Sequence, residues 1–110
     1  MVIEMTMPRW APQVDADAVA LLAVVAEPAR WRVLASLASA GTQCACELEP
    51  VAGVAANVLS YHLKALKEAG LVTGKRRGRW IDYTLADDAA SRLARALPTA
   101  LPGASAEATP

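Results

Sequence analysis

Apolar residues recur at intervals of three and four from Val54 to Gly70, where Val58, Leu59, Leu63, Leu66 and Ala69 fall on one helical face. The opposite face carries Asn57, Ser60, Tyr61, Lys64 and Lys67. Small polar groups, a phenol and lysines on one exposed stripe are what a helix needs to lie in a DNA major groove and touch phosphates. Gly70 ends this helix, because a left-handed cap suits glycine better than any residue with a side chain. The spacing then changes to two. Leu71, Val72 and Thr73 lead into a hairpin, Gly78 lies in its turn, and Ile81, Tyr83 and Leu85 alternate with Trp80, Asp82 and Thr84 on the return.

Upstream, Asp15 to Ala26 reads as a helix with Val14, Ala18, Leu21, Leu22 and Val25 as its apolar set. Pro28 opens a second helix, since proline is tolerated in a first turn. It runs to about Ser39, with Trp31, Val33, Leu34, Leu37 and Ala38 as core residues, and Gly41 ends it. Cys44 to Ala52 reads as a short third helix, parted by Gly53 from the long polar-striped one. A short helix, a brief glycine turn and a longer helix form a helix-turn-helix. Ala86 to Leu97 gives a last helix with Leu93 and Leu97 as its apolar positions. Residues 1–13 hold two prolines and no period, and are expected to form a flexible arm. Residues 98–110, rich in proline and small side chains, are expected to be a disordered tail. One domain over residues 14–97 follows, mainly α with a β-hairpin wing.

A chain of 110 residues buries a modest core and often completes it by dimerising. Formal net charge is zero, so bulk charge carries no nucleic-acid signal. Distribution does: six Lys or Arg and one acid, Glu68, lie between Lys64 and Arg79, while Asp15, Asp17, Glu47, Glu49, Asp87 and Asp88 lie elsewhere. Lys75, Arg76, Arg77 and Arg79 crowd the hairpin tip, where they repel one another unless an anion such as a phosphate backbone lies between them. The alternative is a solvated edge hairpin whose charges deter aggregation; the polar-striped helix directly before it favours DNA. No apolar run approaches the roughly 20 residues that span a bilayer. The first residues lack a basic start followed by an apolar block, so no secretion signal is read and a soluble cytoplasmic protein is expected. In that reducing compartment, two cysteines one residue apart are expected to be free thiols. As a staple they would close too small a loop to constrain the chain.

With these segments in place, the chain resembles the arsenic-repressor (ArsR/SmtB) family of bacterial metal-responsive repressors. AEPARWRVLASL at 26–37, CACEL at 44–48, NVLSYHLKALKEAGLV at 57–72 and RRGRWIDYTL at 76–85 carry the resemblance. It implies a winged helix-turn-helix homodimer joined through the first and last helices. It also implies repression of a resistance operon in the ion-free form, and release from DNA when metal binds. No enzyme activity is implied.

Cys44-Ala45-Cys46 is similar to the Cys-x-Cys of the family's third-helix site, which in relatives binds arsenite, antimonite, cadmium, lead or zinc. Soft thiolate pairs suit arsenite, cadmium and mercuric ions alike, so two thiols do not rank them; arsenite or antimonite comes first by resemblance. In a regular helix, residues two apart point about 200° away from each other, so both sulfurs cannot grip one ion unless the helix gives locally. Pro50 makes that easier, because its ring clashes with the Cys46 carbonyl unless residues 46–49 are a first turn or irregular. Both thiols then stand at a helix entrance, where the dipole favours thiolate. The alternative is a pair of small packing residues. Relatives with a three-cysteine site place the third thiol where this chain has Glu49, and those with an N-terminal pair find only Met1, Met5 and Met7 in the arm. A third ligand is then Glu49, a small external thiol, a partner-chain cysteine, or absent. The family's last-helix site needs a histidine that does not follow Asp87 and Asp88, so those aspartates read as a helix N-terminal charge pattern.

For DNA contacts the sequence offers Asn57, Ser60, Tyr61 and Lys64 in the groove, with Lys75, Arg76, Arg77 and Arg79 on the wing. His62, the sole histidine, is expected to touch a phosphate or to pack under the wing; alone it makes no metal site. A dimer would present two reading helices about one DNA turn apart, roughly 34 Å, and read an imperfect inverted repeat of double-stranded DNA. Two other classes stay open: a thiol redox protein cycling Cys44 and Cys46, against which stand a tight ring and the lack of a strand-helix context, and a winged helix that binds a protein partner. Oxidation of the same thiols in the same repressor is a further alternative.

Overall fold

The computed structural model describes residues 14–98. The expected arm over 1–13 and all but the first residue of the expected tail lie outside them. Helix α1 (Ala16–Val25) starts where the Asp15 carboxylate accepts from the Ala18 N–H at 3.0 Å. Helix α2 (Pro28–Ala40) starts on Glu27, whose carboxylate accepts from the N–H groups of Ala29 at 2.9 Å and Arg30 at 3.4 Å. Both caps satisfy N–H groups that a first helical turn leaves without partners. A two-residue strand, β1 (Gln43–Cys44), comes next and leads directly into α3 (Ala45–Ala52). Helix α4 (Ala56–Glu68), the hairpin strands β2 (Val72–Arg77) and β3 (Trp80–Leu85), and α5 (Ala89–Ala96) complete the order.

The end of α4 shows how tightly the glycine signal constrains the chain. Gly70 sits at φ 74°, the Leu71 N–H donates to the Leu66 carbonyl at 3.0 Å, and the Gly70 N–H donates to the Lys67 carbonyl at 2.9 Å. That pair of bonds is the Schellman arrangement, and its accompanying apolar contact falls to Leu66 and Leu71, both fully buried. The polypeptide therefore leaves α4 in a set direction, and the hairpin is aimed by it.

The three strands form one antiparallel sheet in the order β1-β3-β2. Thr73 faces Thr84 and Gly74 faces Tyr83 across the hairpin, while Gln43 faces Tyr83 and Cys44 faces Asp82 on the other edge. The core lies where α2, α3, α4 and the base of the hairpin meet: Val33, Leu37, Leu48, Ala52, Leu59, Leu63, Leu66, Leu71, Val72 and Tyr83 are all buried there. Helices α1 and α5 pack against each other beside it. Among the described residues no helix is long and apolar enough to cross a membrane.

Five apolar expectations fail. Val14, Ala38, Val58 and Leu97 are exposed, and Trp31, expected in the core, is 62% exposed. Trp31 instead borders an apolar groove with Leu22, Leu34, Leu85, Leu93 and Leu97. On its helix, Trp31, Ala35 and Ala38 form a second apolar stripe that stays exposed among the described residues. Helix α4 is also shorter than its apolar period, because residues 54 and 55 belong to the turn.

Candidate nucleic-acid interface and thiol site

On α4, the inward positions are Leu59, His62, Leu63 and Leu66, and the outward ones include Asn57, Ser60, Tyr61, Lys64 and Lys67. The structure thus brings the four proposed groove residues together on one exposed face. Lys67 carries that face to the hairpin: a Cβ built on Gly74 of β2 would lie 3.5 Å from Lys67 Nζ. Stripe and wing are neighbours.

All four wing cations are exposed, but they are not equivalent. Arg77 donates from Nε to Asp82 Oδ2 at 2.7 Å and from Nη2 to Oδ1 at 3.1 Å, a two-pronged pair that fixes its direction. Those hydrogen bonds hold the Asp82 carboxyl below the usual carboxylate range and raise the Arg77 guanidinium further above its own. Arg76 makes a longer contact, 3.4 Å from Nη1 to the Gly78 carbonyl. Trp80, facing Arg77 across the strands, is exposed beside them.

His62 departs from the sequence reading. It is 8% exposed and faces neither solvent nor the wing. Arg30 Nε donates to its Nδ1 at 3.0 Å, and its Nε2 lies 3.3 Å from Glu27 Oε2. A guanidinium N–H has no lone pair to offer, so Nδ1 is the acceptor and a neutral ring carries its hydrogen on Nε2, toward Glu27. The Ala29 N–H against the carboxylate, with His62 and Arg30 nearby, keeps Glu27 below its ordinary range. A polar residue at the edge of a stripe looks solvent-facing in one dimension, and its partners are 32 and 35 positions upstream. Buried against Arg30 and Glu27, His62 is not placed to touch DNA.

Cys44 and Cys46 stand at the start of α3, as their spacing and Pro50 suggested. Cys44 is the N-cap, in extended conformation (φ −79°, ψ 165°), and Cys46 is already helical. The change of backbone conformation between them turns both side chains to the same side, which answers the 200° objection. In this structure they are joined as a disulfide, with Cα atoms 5.3 Å apart, and no free cysteine remains among the described residues. The expectation of free thiols is corrected accordingly. Cys44 is buried and Cys46 exposed. Glu47 is occupied, accepting from the Cys44 N–H at 2.8 Å. Glu49 lines a shallow pocket with Cys46, Pro50 and Gly53. Among the described residues no three His, Cys, Asp or Glu side chains group to hold a metal ion. A bound ion would have at most the two sulfurs, once reduced, and what Glu49 or another molecule adds.

Several residues that matter here carried no signal of their own. Strand β1 is too short to show a period, yet it pairs Cys44 with Asp82 and so joins the thiol site to the wing. Arg92 of α5 donates from Nη1 to the Gly70 carbonyl at 3.0 Å and from Nη2 to the Ala69 carbonyl at 2.9 Å, capping α4 from another element. Asp88 is the N-cap position of α5, in keeping with the charge-pattern reading.

Residues 27–73, from the α2 cap through α4 to β2, match the model of the bacterial regulatory protein family arsR. The arsenical resistance operon repressor of Bacillus subtilis (strain 168) is 35% identical over 69 residues, 63% of this chain and 66% of that protein, so the chain spans just under two thirds of it. A crystal structure titled "Possible transcriptional regulator for arsenical resistance" is 37% identical, with a TM-score of 0.62 over 66% of this chain and 75% of that one. The homodimeric winged helix-turn-helix DNA-binding domain Mb0332 from Mycobacterium bovis is 27% identical, with a TM-score of 0.63 over 73% of this chain and 74% of that one. Sequence and backbone agree on one lineage, and the chain belongs to the arsR family of bacterial regulatory proteins.

Proposed function

We propose that this protein is a cytoplasmic DNA-binding repressor of a metal(loid)-resistance operon, released from its operator when a thiophilic ion bonds to Cys44 and Cys46. The observation that carries the DNA part is the continuity of the exposed α4 stripe with the basic wing. Asn57, Ser60, Tyr61 and Lys64 read the groove, and Lys75, Arg76, Arg77 and Arg79 meet phosphates or the minor groove. A homodimer would cover the apolar groove bordered by Trp31, Leu85 and Leu93 with the α1 and α5 side of a second copy, and would read an imperfect inverted repeat. A related domain described as homodimeric supports that arrangement.

Arsenite or antimonite is the proposed inducer, supported by relatives named for arsenical resistance and by a sulfur pair at a helix start. The disulfide must first take up two electrons and two protons from two cellular thiols, which leave joined as a disulfide of their own. Each sulfur–arsenic bond then forms as a thiol proton leaves with one arsenite hydroxyl as water. Cadmium, lead, zinc and mercuric ions are the competing inducers. The disulfide also favours a second reading, in which oxidation of these thiols is itself a signal.

The test is to titrate the reduced protein on its own upstream DNA with each ion, with Cys44→Ser and Cys46→Ser alongside and sedimentation to give the mass of the free species. Release by arsenite from the wild type and from neither variant supports the reading. Equal response of all three removes the thiol site. A monomer on DNA removes the dimer. Release on peroxide treatment alone selects the oxidation reading.

A further inference from the structure

Tyr61 projects from the exposed face of α4 yet does not stand alone there. The Arg30 Cζ lies 5.6 Å from the centre of its ring, and the ring meets that of His62 edge-on, with centroids 5.4 Å apart and planes at 62°. Arg30 is itself held at three points: its backbone N–H on Glu27, its Nε on buried His62, and its Nη1 on the Val24 carbonyl at 3.4 Å. Glu27 closes the set, touching His62 while it caps α2. A guanidinium tied down in this way gives the tyrosine a fixed charged wall.

We propose that Arg30, anchored by His62 and Glu27, is a positioning residue that sets the orientation of Tyr61 on the DNA-reading face and so acts on sequence selectivity. The inference rests on the DNA reading above. An exposed tyrosine otherwise samples several staggered χ1 wells. A cation over its ring face favours one of them about two- to fivefold. Only a base edge matched to that orientation benefits, whereas phosphate contacts do not depend on it.

The test is a double-mutant cycle on the full chain, with fluorescent duplexes of its upstream sequence and of a scrambled sequence. Arg30→Gln is expected to lower the ratio of specific to scrambled affinity about two- to fivefold, with the salt dependence on the scrambled duplex unchanged. In a Tyr61→Ala background the same substitution should do nothing further. Arg30→Lys keeps the charge but has no Nε–H to give His62; it should shift the ratio in the same direction and preserves the test if Arg30→Gln fails to fold. Losses that add independently of Tyr61, or that fall equally on both duplexes, overturn the proposal and make Arg30 a support of the fold or a phosphate contact. Failure of the wild type to bind either duplex, or to distinguish them, overturns the DNA reading itself and this inference with it.

Discussion

Replacing Gly70 with alanine should destabilise the domain through two separable effects. The first is backbone strain: at φ 74° an L side chain meets its own carbonyl, at about 1 kcal/mol. The second is specific to this site. A Cβ on Gly70 would lie 2.9 Å from Arg92 Nη1, the atom that donates to the Gly70 carbonyl. The guanidinium is the free end of a flexible side chain and can swing away, but it then gives up its bonds to Gly70 and Ala69, about 1 kcal/mol net for each. The expected total is about 3 kcal/mol, a large part of the 5 to 15 kcal/mol that holds a typical domain. Gly78→Ala is the control, since Gly78 has φ 63° and no neighbour within 4 Å of the added atom; its expected cost is the strain alone, about 1 kcal/mol. Urea unfolding followed by circular dichroism measures both. Arg92→Ala should cost about 2 kcal/mol by itself and almost nothing in the Gly70→Ala background. Equal costs for Gly70→Ala and Gly78→Ala, or full additivity of Gly70→Ala with Arg92→Ala, would refute the account of α5 as a cap on α4.

Two further outcomes follow from the wing. Removing Arg79 should flatten the dependence of log affinity on log salt by about 1. Arg77→Ala should flatten it less, because Asp82 already engages that guanidinium; fluorescence anisotropy between low and physiological salt reads both slopes, and an unchanged slope in each would take the wing off the DNA. The Arg77–Asp82 pair should also respond to acid. Asp82 is held below its unfolded value by the hydrogen bonds from Arg77, so its contribution is fully present above about pH 4 and is lost as the pH falls through its folded value. The difference in unfolding midpoint between wild type and Asp82→Asn should therefore shrink toward zero at strongly acid pH; a difference that persists unchanged would show that the carboxylate's charge is not what Arg77 uses.

Helix starts and stops were legible because they are local. Asp15 before α1, Pro28 in the first turn of α2, Gly41 after it and Gly70 after α4 each act within a few residues of themselves. The polar stripe on α4 was legible because helical geometry alone puts Asn57, Tyr61 and Lys64 on one face. Pairings between distant segments were not. The sequence offers His62 only a phosphate or a place under the wing, since nothing near it names Arg30 or Glu27 as its partners. Trp31 was read as core because periodicity identifies an apolar stripe without saying whether this chain or another molecule covers it. Cys44 was placed correctly at a helix entrance, but its pairing with Asp82 depends on a two-residue strand that no pattern announces.

That pairing alters how an event at the thiols would travel. Cys44 is restrained on one side by β3, through its register with Asp82, and on the other by the Glu47 carboxylate on its N–H. Cys46 is exposed and has no such strand. Its carbonyl also receives no N–H from position 50, because that residue is proline. An ion bridging the two sulfurs must hold them farther apart than a direct sulfur–sulfur bond does. On the proposed reading the accommodation therefore falls first on Cys46 and the opening turn of α3, which packs on α4. Only a larger shift would draw Cys44 against β3 and disturb Asp82 and Arg77. On that reading, oxidised and ion-loaded protein would pull on the same two residues with different reach, and loosening of α4 should precede loosening of the wing.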